Sequence, residues 1–233
     1  MFCCALDFLD LVDDIFETVA RNDPCNSQGA GASNRASREV CARGLMADAF
    51  RARDIGLRAQ KKLLSRMTSH KGMVKVLIDD NSGQLLDNLY RFVKHHTGSK
   101  KDAEKIVKNI IKLSVKAGIL SRNEQFSQDE IQLGNDFVRK FHTLAKTVIS
   151  FHEVDFTYDR GFISKQISEC HDLFAKIISR HLSEKSLSRL DNVFGFFSDP
   201  NFLDQVFQPK YPHRELFDKL VNDLKKALDE GDL

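Results

Sequence analysis

The residues best suited to do chemistry in this chain are a ladder of lysines. In the stretch from Lys100 to Arg122, KKDAEKIVKNIIKLSVKAGILSR, a helical winding of about 100° per residue brings Lys101, Lys105, Lys108, Lys112 and Lys116 within roughly an 80° arc. Such a strip makes and breaks no bonds; its chemistry is the binding of carboxylates or phosphates. The same pattern is also the solvated edge of an ordinary bundle helix, and at this level both readings stand. The charge is local: between Arg91 and Arg122 nine Lys or Arg stand against Asp102 and Glu104, so the window carries +7 on a chain whose formal charge is +2. A concentrated patch on an otherwise acidic chain fits a localised anionic partner better than it fits nucleic acid.

The remaining reactive side chains do not assemble into a catalytic pattern. His95 and His96 are neighbours that cannot both face one ion from a helix, and His142, His152, His171 and His181 lack an HExxH frame. Cys170 and His171 point about 100° apart on a helix, which favours packing over nucleophile activation. Glu153 and Asp155 are explained by capping and corner hydrogen bonds. No GxGxxG or GxxxxGK occurs, so a nucleotide enzyme is disfavoured. The expectation is a protein without catalytic residues, metal or cofactor. The five cysteines, Cys3, Cys4, Cys25, Cys41 and Cys170, include no CxxC. Together with an N-terminus lacking Lys or Arg before Arg21, they predict reduced thiols and a cytoplasmic location.

Around the lysine ladder the chain reads as helices. Opposite the lysines lies an apolar stripe of Ile106, Ile110, Leu113, Ala117 and Leu120, and beside it a second one of Val107, Ile111 and Gly118. This helix must therefore be buried over most of its circumference, and could divide a core from an internal cavity. Residues 1–20 form a short acidic amphipathic segment, suited to a protein surface rather than to an anionic bilayer, with Cys3 and Cys4 as weak acylation candidates. Residues 21–46, rich in Gly, Ser, Asn and Ala, read as a flexible linker, and the folded domain spans 47–233. Within it a helix is expected over 47–67, where Gly56 could be a break. Asp79 to Ser82 offers helix caps, and Ser127 with Glu130 has the spacing of a capping box. Phe151 to Arg160 alternates like a strand but has nothing to pair with, so it reads as an interhelical corner. Ser198-Asp199-Pro200 is a further helix start. The class is all-α, with about seven helices and no run near the roughly 20 apolar residues that span a bilayer.

From about Gly56 onward the sequence resembles the tumour necrosis factor alpha-induced protein 8 family, also called the TIPE family. The resemblance is carried by AQKKLLSRM at 59–67, LIDD at 77–80, LDNLYR at 86–91, AEKIVKNIIKLSVKAGIL at 103–120, SFHEVDFTYDR at 150–160, SECHDL at 168–173, NVFGFFSD at 192–199 and LDEG at 228–231. It implies one cylindrical helical bundle around an elongated apolar cavity that accepts lipid tails, with basic residues at its mouth binding phosphoinositide headgroups. The family's basic pair matches Lys61 and Lys62, followed by Arg66, and its mouth arginine at the end of the central helix matches Arg122. A second mouth arginine aligns with Val138 and leaves Arg139 and Lys140 next along the helix.

The resemblance thus implies a regulator of cell death, inflammation and phosphoinositide signalling that binds or transfers lipid and associates reversibly with membrane. The cavity-lining candidates on the lysine-bearing helix are Ile106, Ile110, Ile111 and Leu113. Those on later helices are Phe137, Phe141, Val148, Ile167, Phe174 and Ile178. Lys101, Lys105, Lys108, Lys112 and Lys116 would then guide approach to an anionic membrane, and any bound phospholipid or phosphoinositide would be ligand rather than cofactor. The other reading is a helical adaptor whose basic strip engages a small GTPase or a death-pathway protein. Nucleic acid is not an expected partner.

Overall fold

The computed structural model describes residues 50–65, 77–154 and 157–229, and every regular element in them is a helix. The acidic segment, the linker, Arg66 and Asp155 lie outside the described residues. The eight helices are α1 (Ala52–Leu64), α2 (Asp80–Thr97), α3 (Lys100–Arg122), α4 (Gln128–Glu153), α5 (Arg160–Ile178), α6 (Glu184–Phe197), α7 (Pro200–Val206) and α8 (Arg214–Asp229). The lysine-bearing segment is α3, with the bounds expected from its pattern.

Local chemistry sets the helix starts. The Asp79 carboxylate accepts from Ser82 N–H at 2.8 Å to begin α2, and Asp199 accepts from Phe202 N–H at 2.9 Å to begin α7, whose first residue is Pro200. At α4 the capping box is complete, with Glu130 N–H on Ser127 Oγ and Ser127 N–H on Glu130 Oε2. Each such cap contributes about 1 kcal/mol. The alternating stretch is a narrower corner than expected: Phe151 to Glu153 still belong to α4 and Arg160 already opens α5, while Thr157 to Asp159 is irregular and Asp159 caps α5 through Phe162 N–H at 3.0 Å. Gly56 does not break α1. It is buried inside one continuous helix, and a Cβ placed there would lie 2.6 Å from Ile78 Cδ1. Its missing side chain lets the segment before α2 cross α1 closely. α6 begins at Glu184, a turn earlier than the apolar pattern from Leu187 indicates.

The packing pairs close on themselves. α3 packs on α6, α6 on α5, α5 on α4, α4 on α8, α8 on α2, and α2 back on α3. α1 lies against α2 and α3, outside that ring, while α7 packs on α5 and α6. Because α3 has α1, α2 and α6 as neighbours, its apolar stripes are buried except at Leu120, which is half-buried, with Ile106, Val107, Ile110, Ile111, Leu113 and Ala117 all in the core. Each buried large apolar side chain contributes about 1.5–3 kcal/mol, and the ring shares them around one core.

One end of the ring is filled with rings of its own. Phe92 of α2 lies 6.2 Å from Phe202, 6.1 Å from Tyr211 and 5.5 Å from Phe217, measured between ring centroids. His96 completes the layer by sharing a hydrogen bond of 2.9 Å between its Nδ1 and the Tyr211 hydroxyl. A wholly apolar cavity of about 30 Å³ sits in this end, bordered by Leu89, Phe92, Val148, Ile163, Ile167, Phe197, Phe217 and Leu220 of the ring helices and by α7.

Candidate anion-binding site

The site is assembled where α3 meets α6 and α1. Ser186, in the first turn of α6, is fully buried, and Lys116 Nζ donates to its Oγ at 2.6 Å. Farther along the same helix pair, Asn109 Nδ2 donates to Asn192 Oδ1 at 3.0 Å. These two links fix the register of α6 on α3, and the register sets Lys185 and Arg189 beside Lys112 and Lys116. On the other flank, Gln60 Oε1 accepts from Leu77 N–H at 3.1 Å, and Leu77 packs 2.7 Å from where a Cβ of Gly118 would stand. The C-terminal turn of α1, with exposed Lys61 and Lys62, is thereby held beside α3.

The electrostatic result is a surplus of positive charge that the described residues do not neutralise. Burial holds the Lys112 ammonium below the usual lysine range, and Arg189, Lys108, Lys185 and Lys62 push it further down. Lys116 is lowered in the same way, first by burial and then by Arg189, Lys112 and Lys185. Among the described residues, Lys112, Lys185 and Arg189 have no carboxylate within ion-pair distance, whereas Lys108 is paired with Glu104 one turn away. Half-buried Lys112, Lys116 and Arg189 with exposed Lys185, held together without counterions among the described residues, make a candidate site that an incoming anion would relieve through charge-assisted hydrogen bonds.

The other residues singled out by sequence are distributed differently. Lys101 and Lys105 are exposed at the start of α3, where Lys105 edges an open groove of about 340 Å³ that also carries Asp102, Asp191 and Phe196. Arg122 is half-buried in the last turn of α3, the turn that follows Gly118. Arg139 and Lys140 are exposed on α4, which packs on α5 and α8 rather than on α1 or α3 as a main neighbour. Both are neutralised there: Arg139 is paired with Asp136, and Lys140 Nζ lies 2.5 Å from Glu169 Oε2. The fold does not bring them to the α3 cluster.

The cavity-lining candidates are all buried, and Val148 and Ile167 border the small apolar cavity. Ile110, Ile111, Leu113, Phe141, Phe174 and Ile178 have 0% of their surface exposed, so no water-sized sphere touches them in this packing. An acyl chain beside these residues requires the helices to part.

Sequence reasoning passed over Lys185, Ser186 and Arg189. The usable signal was the i, i+4 spacing of Lys185 and Arg189, which puts both on one helix face. Their meeting with α3 is a tertiary fact. The reactive residues considered for catalysis have structural surroundings. Cys170 is buried and its thiol is pushed up to about 12 by that burial, with Glu169 adding to it. His171 turns outward, within 2.9 Å of Asp191 and 3.1 Å of Asp172. His181 reaches Glu130 at 3.1 Å, and Glu153 is paired with Lys225. Among the described residues no group of three His, Cys, Asp or Glu is placed to hold a metal ion, and no helix is long and apolar enough to cross a membrane.

The family model described as "Tumor necrosis factor alpha-induced protein 8-like" matches residues 50–231. The chain is 49% identical over 189 residues to "Protein salivary glands marred" of Drosophila melanogaster, covering 81% of this chain and all of that protein. It is 48% identical over 186 residues to "Tumor necrosis factor alpha-induced protein 8" of Gallus gallus, covering 80% of this chain and 98% of that one. The human protein of the same name is 45% identical over 186 residues, with 80% and 93% covered. Residues 50–231 therefore belong to a domain that the fly relative possesses as its entire length, and this chain is a member of the tumour necrosis factor alpha-induced protein 8 family.

Proposed function

We propose that this chain is a non-enzymatic phosphoinositide- and lipid-binding regulator of cell death and inflammatory signalling, whose α1–α3–α6 face takes up headgroup phosphates. The observation that carries this reading is the uncompensated cluster of Lys112, Lys185 and Arg189, with Lys62 and Lys116 beside it. Phosphate oxygens supply the negative charge that the cluster lacks, and a phosphoinositide headgroup can touch several cations at once. Lys61 and Arg122, near the same end of α3, extend the contact, while Lys101 and Lys105 add a general attraction to anionic membrane of about 1 kcal/mol per charge. Acyl chains would enter the apolar interior of the ring, where each buried CH₂ contributes about 0.8 kcal/mol. The reading places the protein in the cytoplasm with reversible attachment to membrane, and transfer of lipid between membranes follows if the tail leaves with the protein.

A second reading is favoured by the tight interior. With Ile110, Ile111, Phe141 and Phe174 fully enclosed, the same cationic face can serve an adaptor that binds an acidic protein, such as a small GTPase or a death-pathway component, without sheltering a lipid tail. Native mass spectrometry of the purified full chain separates the two. A copurified phospholipid that exchanges with phosphoinositide vesicles supports the first reading; a bare protein that takes up no lipid from such vesicles supports the adaptor.

A further inference from the structure

We infer that the acidic segment of this chain, residues 2–20, docks on its own cationic face formed by α1, α3 and α6. The family match begins at residue 50, so this segment belongs to this chain's extension rather than to the shared domain. It contains Asp7, Asp10, Asp13, Asp14 and Glu17, and no Lys or Arg precedes Arg21. The face it would meet holds Lys112, Lys185 and Arg189 without carboxylate partners among the described residues.

The entry of the chain points to the same place. Phe50 and Arg51, the first described residues, line an open groove of about 370 Å³ together with Ile55, Arg58 and Lys108. That groove joins apolar ring and aliphatic surface to cations, which matches a segment in which Phe2, Leu6, Leu9 and Phe16 are interleaved with acids. Asp54 in the groove and Glu104 on Lys108 oppose the docking, and the cations of α6 outweigh them. The connecting residues 21–49 are rich in Gly, Ser, Asn and Ala, and a coil of that length and composition would have a root-mean-square reach of about 30 Å. Lys108 and Lys116 are separated by about 12 Å along α3, so the whole face is within reach. Tethering gives the segment an effective concentration in the millimolar range, and individually weak contacts then suffice.

Zero-length carbodiimide cross-linking of the full chain tests this. The reagent activates a carboxylate, a lysine amine attacks it, and an amide forms as the carbodiimide leaves as its urea. Peptide mapping should find links from Asp7, Asp10, Asp13, Asp14 or Glu17 to Lys62, Lys108, Lys112 or Lys185. They should fall at least fivefold when salt shortens the screening length to a few ångströms. The inference is overturned if no such links form, if they go equally to Lys210, Lys219 and Lys225, or if isotope mixing shows that they join different molecules. Vesicles are absent from this experiment. A chain that gives these links but binds no phosphoinositide vesicle loses only the lipid reading, and one that binds vesicles without these links loses only the docking.

Discussion

The aromatic end of the ring and the cationic face of α3 use the same helices for opposite ends. At the aromatic end Phe92, Phe202, Tyr211 and Phe217 fill the space between α2, α7 and α8, and His96 in their midst is hydrogen-bonded to Tyr211. At the cationic face Lys112, Lys116 and Arg189 are half-buried close together and repel one another. One region gains stability from nearly every side chain, and the other gives some up. That contrast is what makes the face, rather than any interior residue, the candidate site.

The largest effect should come from emptying the aromatic end. Phe92→Ala removes a fully buried ring and is expected to cost about 3–5 kcal/mol, read from urea unfolding. Vesicle binding per folded molecule should stay unchanged. A parallel loss of binding would break the separation between the two regions.

The two regions should also respond to opposite ends of the pH scale. Burial and then the neighbouring His213 hold His96 below the usual histidine range, with Asp199 opposing them. The unfolded chain therefore takes up this proton first, so stability should fall as pH drops from the ordinary histidine value, about 6.5, through the lowered one. His96→Gln should flatten that part of the pH profile.

Lys112 carries the same sign at the alkaline end of the scale. Its folded-state affinity for the proton is lowered, so the unfolded chain retains the proton to higher pH and stability should rise as pH increases toward 10.5. At neutral pH the charge is a net cost. Lys112→Gln should therefore raise the melting temperature slightly at low ionic strength, and the gain should disappear in high salt. A destabilised Lys112→Gln protein would mean that the cluster is compensated after all.

The contrast also marks what the sequence could reveal. The bounds of α3, the caps at Asp79, Ser127 and Asp199, and the burial of the α3 stripes short of Leu120 all depend on residues within a few turns of one another, and all were legible. Gly56 was misread because a glycine in a helical pattern looks like a break until the Ile78 side chain that needs its space is known. Lys185 and Arg189 were missed because their register on α3 is set by Ser186 and Asn192, contacts between residues 70 or more positions apart. The closure of the ring, likewise, is a matter of which helix lies beside which. Arg139 and Lys140, expected from the resemblance to stand beside a cavity mouth, have their charge spent on Asp136 and Glu169.

The most direct test is co-sedimentation of the full chain with vesicles containing a phosphoinositide, comparing wild type with the triple variant K112Q, K185Q, R189Q. These side chains are half-buried or exposed and have no carboxylate partner among the described residues, so the variant should melt at the same temperature or slightly higher. The account predicts at least a tenfold loss of vesicle binding with that stability intact. Unchanged binding by a folded triple variant would contradict it.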